Sequence, residues 1–153
     1  MTGTDATPAD PTVADPTPVD LTSVEPGHRL PGRTVHVTRA TLVAYAGASL
    51  DRNPIHWDDR FAQDVGLPDV IAHGMWTMGV AMQLVVDWCG DAGRVVECST
   101  KFVAPVVVPH DCGADVELGG VVRSVTDGRA TVEVSATCRG KKVLGRALAV
   151  IRL

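Results

Sequence analysis

Between residues 131 and 138 the chain alternates: Val132, Val134, Ala136 and Cys138 fall on one face, and Thr131, Glu133, Ser135 and Thr137 on the other. A period of two with one apolar face is the pattern of a half-buried antiparallel strand. Asp127-Gly128 and Gly140-Lys141 separate apolar runs at points where tight hairpins need positive φ. They predict a meander over residues 114–126, 130–139 and 142–152. A further strand is expected around residues 94–104, and the β-branched run Thr34-Val35-His36-Val37-Thr38 reads as a short one.

The period changes elsewhere. Residues 74–89, GMWTMGVAMQLVVDWC, carry only Thr77, Gln83 and Asp87 as polar positions. A segment rich in helix formers and apolar almost all round is a buried, central helix. Thr38 is placed to cap a helix over Arg39–Ala46 that Gly47 would end, and a second short helix is expected from about Asp58 to Val65. The sum is an α+β fold in which an antiparallel sheet of about five strands wraps a long central helix.

Residues 1–27 stand apart. They repeat Thr, Pro, Asp and Ala, hold five acidic residues and no Lys or Arg, and offer almost nothing to bury. The segment reads as a disordered tail, with one domain over residues 28–153. Without the tail the chain has 14 basic and 13 acidic residues, so no net positive field points to nucleic acid or an anionic membrane. Cys89, Cys98, Cys112 and Cys138 form no CxxC pair and are expected to be reduced, buried thiols rather than metal ligands. No apolar stretch reaches the roughly 20 residues of a membrane span, and no charged start with an apolar core marks a leader, so a cytoplasmic protein is expected.

Chemistry concentrates in Asp51-Arg52-Asn53-Pro54-Ile55-His56 and in His73-Gly74-Met75, where the buried helix begins. Pro54 fixes its own φ and holds Asn53 extended, so the loop is stiff enough to aim Asp51 and His56 at one water. A carboxylate and a neutral imidazole sharing a water move protons both ways, as adding water to a polarised double bond, or removing it, requires; no metal or cofactor is needed. The free N–H groups at a helix start supply an oxyanion site, and Gly74 lets a carbonyl oxygen approach closely. His73 reads as a structural hydrogen-bonding group, and His28, His36 and His110 lack chemically suggestive neighbours.

The string YAGASLDRNPIHWDDRFAQDVGLPDVIAHGMWTMG closely resembles the hydratase motif of the MaoC-like family, the (R)-specific enoyl-thioester hydratases and dehydratases of hot dog fold. From about Val24 to the C-terminus, including KFVAPVVVP and GKKVLGRALA, the chain is similar to the HadB-type catalytic subunits of actinobacterial (3R)-hydroxyacyl-ACP dehydratases. The resemblance implies that Asp51 and His56 form a catalytic dyad, that Asn53 supports its hydrogen bonding, and that the Gly74 N–H polarises the thioester carbonyl. It also implies type II fatty-acid synthesis as the setting. Leu50 stands where the family usually has Gly, and Arg52 where a smaller or uncharged residue is common. Leu50 is therefore expected to narrow the approach to Asp51.

Three other readings compete. A homodimeric (R)-specific enoyl-CoA hydratase keeps the same dyad, with coenzyme A in place of acyl carrier protein; Arg52, Arg60 and Lys101 are candidates to meet a phosphopantetheine phosphate. A thioesterase shares the architecture but not the Asp-x-Asn-Pro-Ile-His spacing. A non-catalytic acyl-chain-binding subunit is disfavoured by intact Asp51 and His56. A single half-barrel leaves an edge strand and a helix flank that pairing would cover, so a dimer is expected, and the resemblance implies a HadA-like hot dog partner.

Overall fold

The hairpin turns set the sheet. In the computed structural model, which describes residues 19–153, Thr126 pairs with Arg129 across Asp127 and Gly128, whose φ values of 52° and 69° make the tight turn that matches strand twist. The strands are β1 (Arg29–Val37), β2 (Val95–Phe102), β3 (Ala114–Thr126), β4 (Arg129–Cys138), β5 (Lys141–Lys142) and β6 (Leu144–Arg152). They form one antiparallel sheet in the order β1-β3-β4-β6-β2, with β5 paired to β4. The helices are α1 (Arg39–Ser49), α2 (Asp59–Asp64) and α3 (Gly74–Cys89).

The inward face of β4 is Ala130, Val132, Val134, Ala136 and Cys138, all buried, as the alternation requires. Val116, Leu118 and Val122 of β3 and Ala147, Ala149 and Ile151 of β6 continue that surface. α3 packs into it, touching β1, β2, β3, β4 and β6, and buries Trp76, Ala81, Leu84, Val85 and Trp88. This is the hot dog arrangement expected from the sequence, with six strands where about five were expected; the extra one is the two-residue β5.

Several boundaries differ from the sequence expectation, each for a local reason. β1 begins at Arg29 rather than Thr34, because Leu30 is buried; a register shift between Leu30 and Arg33 accommodates Pro31, which has no N–H to donate. Gly47 does not end α1. The helix runs through Ser49, and Leu50 supplies the left-handed residue at φ 63°. The second hairpin turns on Arg139 and Gly140, one residue earlier than expected. Residues 1–18 of the expected tail lie outside the described residues, but residues 19–27 meet the domain: the Val19 N–H donates to the Trp88 carbonyl, Val24 is buried, and the Gly27 N–H donates to the Val122 carbonyl. Cys89 and Cys138 are buried free thiols, while Cys98 and Cys112 are exposed, Cys98 because β2 is a sheet edge that exposes most of its residues. Among the described residues no helix is long and apolar enough to cross a membrane.

The segment from Asp51 to His73 crosses the mouth of this scaffold and is tied to it at several points. Val108 N–H bonds the Val70 carbonyl and Ala72 N–H the Val106 carbonyl, at 2.9 and 2.8 Å. Arg39, on the first turn of α1, forks to the Val108 carbonyl, Asp59 and Asp69 and so joins α1, α2 and the residue 69–72 strap. Replacing Arg39 by Leu strands a partly buried carboxylate and a carbonyl, and should cost about 2–3 kcal/mol of stability. Urea denaturation checks the loss, and Arg39→Lys should recover only part of it, since one ammonium cannot fork to three acceptors.

Candidate active site

Leu50 turns the chain out of α1 in the left-handed conformation, and from there the loop is braced by its own polar side chains. The Asn53 N–H donates to Asp51 Oδ1 and the Ile55 N–H to Asn53 Oδ1, both at 3.2 Å. Such side-chain-to-backbone turns are what Asp and Asn form readily. Pro54 then opens a single 3-10 turn, Pro54–His56, that delivers the His56 ring inward.

His56 is buried, and its Nδ1 lies 2.7 Å from the Ile71 carbonyl. A carbonyl oxygen only accepts, so Nδ1 carries the proton and Nε2 presents a lone pair. That Nε2 stands 3.9 Å from Oδ2 of the half-exposed Asp51. The gap is too long for a hydrogen bond and of a size that one bridging water spans. Burial, the largest influence, holds the His56 pKa below its ordinary value; the Ile71 carbonyl opposes it, nearby His73 reinforces it, and Asp51 opposes it. The ring is therefore a neutral proton acceptor near pH 7.

Gly74 is the first residue of α3, and no side chain caps that end. The first intrahelical donor is the Thr77 N–H, bonded to the His73 carbonyl, which leaves the Gly74 N–H free of the helix ladder. Gly74 and His56 line one cavity of about 450 Å³ with Ile71, Phe102, Val103 and Val106. A Cβ on Gly74 would stand 3.1 Å from the Phe102 ring, tighter than ordinary contact, so the half-exposed ring would have to shift by a few tenths of an ångström. The cavity combines an apolar body with a free backbone N–H and a proton acceptor, an arrangement suited to an acyl chain ending in a polarised carbonyl.

The expected residues do not all converge. Asp51 approaches His56 but does not line the cavity, and Asn53 meets Asp51 through its backbone N–H while its amide oxygen stays within the turn. Leu50 is 72% exposed, so its part is backbone reversal rather than a narrowed approach. Arg52, Arg60 and Lys101 are exposed and none lines the cavity; Arg52 instead borders a separate apolar hollow with Val43 and Trp57. Sequence reasoning missed the Ile71 carbonyl, for which no side chain could signal, and Phe102. It also understated His73, whose Nε2 lies 3.1 Å from the Asp51 carbonyl and whose ring stacks on His56 at 3.7 Å. Asp51, His56 and His73 are the one cluster among the described residues whose donor atoms, all within 4.8 Å of one another, could take a cation. With each ring already bonded to a carbonyl, only His56 Nε2 and His73 Nδ1 remain as nitrogen ligands.

The sequence profile described as "MaoC like domain" matches residues 23–140. The chain is 30% identical over 109 residues to the "(R)-specific enoyl-CoA hydratase" of Rhodospirillum rubrum, covering 71% of this chain and 74% of that one. It is 35% identical over 89 residues to "3-hydroxyacyl-thioester dehydratase X" of Mycobacterium tuberculosis, which covers 58% of this chain and 31% of the relative. A solved structure titled "MaoC-like dehydratase" superposes with a TM-score of 0.85 at 41% identity, over 90% of this chain and 42% of that one. The chain thus spans less than a third of some relatives it matches, and 5% of a fatty acid synthase beta subunit of Cochliobolus carbonum.

The depressed pKa of His56 has a consequence for stability. An unfolded histidine binds its proton near pH 6.5 and the folded one only at lower pH, so the unfolded state takes up protons first as pH falls. The contribution is intact above about pH 6.5 and is lost as pH drops toward the folded value. Denaturation curves should show wild type losing more stability than His56→Asn between about pH 7 and 5.

Proposed function

The chain belongs to the MaoC-like dehydratase family, and on that premise we propose that it catalyses the reversible dehydration of (3R)-3-hydroxyacyl thioesters to trans-2-enoyl thioesters. The observation that carries the reading is the His56 Nε2 lone pair, 3.9 Å from an Asp51 carboxylate oxygen and in one cavity with the free Gly74 N–H. The Gly74 N–H donates a hydrogen bond to the thioester carbonyl oxygen and draws charge onto it, which acidifies the α-carbon. Asp51 and His56 share the proton transfers between them. They remove the α-proton and return a proton to the β-hydroxyl, so that the C–H and C–O bonds break, the C=C bond forms and water leaves. In reverse, the pair activates the water that adds. The apolar wall, with Ile71, Val103 and Val106, holds the acyl chain.

The acyl carrier is acyl carrier protein in this reading, within type II fatty-acid synthesis. Coenzyme A is the second carrier to test, because the hydratase relative of which the chain covers 74% is named for it. Assembly follows from the sheet edge. β2 is paired on one side only and exposes Val96 and Phe102, and Phe102 also borders the cavity. A second hot dog subunit, HadA-like or another copy of this chain, covers that edge and closes the acyl site. A purely acyl-binding subunit would have no use for the dyad.

Hydration of a trans-2-enoyl-CoA, followed by loss of the conjugated double bond's ultraviolet absorbance, tests the proposal on the protein alone and with a co-expressed HadA-like subunit. Asp51→Asn and His56→Ala should each lose at least about 10²-fold in rate while circular dichroism stays native. Folded wild-type protein inactive in both states, or mutants as active as wild type, would overturn it.

A further inference from the structure

His73 is the least exposed polar side chain among the described residues, at 1%, and the reaction proposed above does not use it. Its ring engages the site in three ways. Nε2 lies 3.1 Å from the Asp51 backbone carbonyl and, facing an acceptor, carries the ring proton. One face stacks on His56, with centroids 3.7 Å apart and planes 23° from parallel. Tyr45 of α1 meets the same ring at 4.8 Å. The fourth connection is covalent, since His73 immediately precedes Gly74 at the start of α3.

The remaining nitrogen, Nδ1, is buried and has no partner. A purely structural core residue gains nothing from such an atom: an unpartnered buried polar group costs free energy that an apolar ring of similar size would avoid. A buried group left unsatisfied in this way calls for an explanation. Here the ring does two things that no aliphatic residue does together, donating to the Asp51 backbone and lying flat against the His56 imidazole.

We propose that His73 is the positioning residue of the site: as the neutral Nε2–H tautomer it ties the Asp51 backbone to the start of α3 and holds the His56 ring in place, so that carboxylate, imidazole and Gly74 N–H keep one geometry. The inference rests on the hydratase reading. It extends to proton affinity as well. The titratable groups set against His56 are Asp51 and His73, with Tyr45 against the latter. Burial is the main cause of the lowered His56 pKa, and His73 adds to it.

The test compares wild type, His73→Gln and His73→Phe in enoyl-CoA hydration across pH. Gln places an N–H at about the reach of Nε2 without the ring; Phe keeps the ring without the N–H. His73→Phe should lose roughly 10²-fold in kcat with KM little changed, the size of effect that misplacing a catalytic group by about 1 Å produces. His73→Gln should recover a large part of that loss. In both, the acid limb of kcat/KM should move to higher pH than in wild type, which a merely structural residue would not cause. A His73→Phe variant with wild-type kcat and an unmoved acid limb would overturn the proposal. If that variant does not fold, the imidazole ¹⁵N spectrum of the wild-type protein decides: a protonated Nε2 with a bare Nδ1 at His73 is expected, and a protonated Nδ1 contradicts it. Wild type without hydration activity counts against the functional reading, whereas an active wild type with unaltered His73 variants counts against the positioning role alone.

Discussion

The hydrogen bond from His56 Nδ1 to the Ile71 carbonyl is the interaction on which the site depends. It fixes which nitrogen bears the proton, and so decides that Nε2 faces Asp51 as an acceptor. Its own partner is placed by the scaffold. The Ile71 N–H donates to the Ile55 carbonyl, Val70 and Ala72 are bonded to Val108 and Val106, and Arg39 holds Asp69 beside them. Loosening that strap would free the ring to rotate, and a rotated imidazole has no defined acceptor for a shared water.

In the proposed reaction the wrapped helix supplies the other half of the chemistry. Burying Trp76, Ala81, Leu84, Val85 and Trp88 seats α3 on the sheet, and its uncapped first turn lies at the cavity. The free N–H groups there are polarised along the helix and cost no reorganisation when charge develops on a carbonyl oxygen. The same packing that stabilises the domain therefore orients the N–H proposed to bind the electrophile. Packing and the proposed chemistry meet at Gly74, where a side chain would press on Phe102.

Much of this was legible in the sequence, and the limits have physical causes. α3 was readable to its ends because thirteen of its sixteen residues are non-polar; β4 was readable because its alternation is uninterrupted. Asp51, His56 and Gly74 could be nominated because the chemistry requires those types of group. The end of α1 was misplaced because glycine is the usual left-handed residue, yet Gly47 stays helical while Leu50 adopts φ 63°. The packing of Val19 and Val24 was hidden in a polar composition. The Ile71 carbonyl was unreadable in principle, since every residue has one. His73 was visible as a histidine, but its stacking on His56 arises only when two segments seventeen residues apart are brought together.

The most direct test of the account is the stereochemistry of hydration in deuterated water. Trans-2-butenoyl-CoA incubated in D₂O with the protein, alone or co-expressed with a second hot dog subunit, should give the (3R)-3-hydroxyacyl product, with a single deuteron added at the α-carbon on the same face as the new hydroxyl. Addition to one face follows from one water and one proton-transfer pair acting from the His56 side of a carbonyl held at Gly74, and the (3R) configuration from the proposed substrate. A (3S) product, or addition to opposite faces, would contradict it.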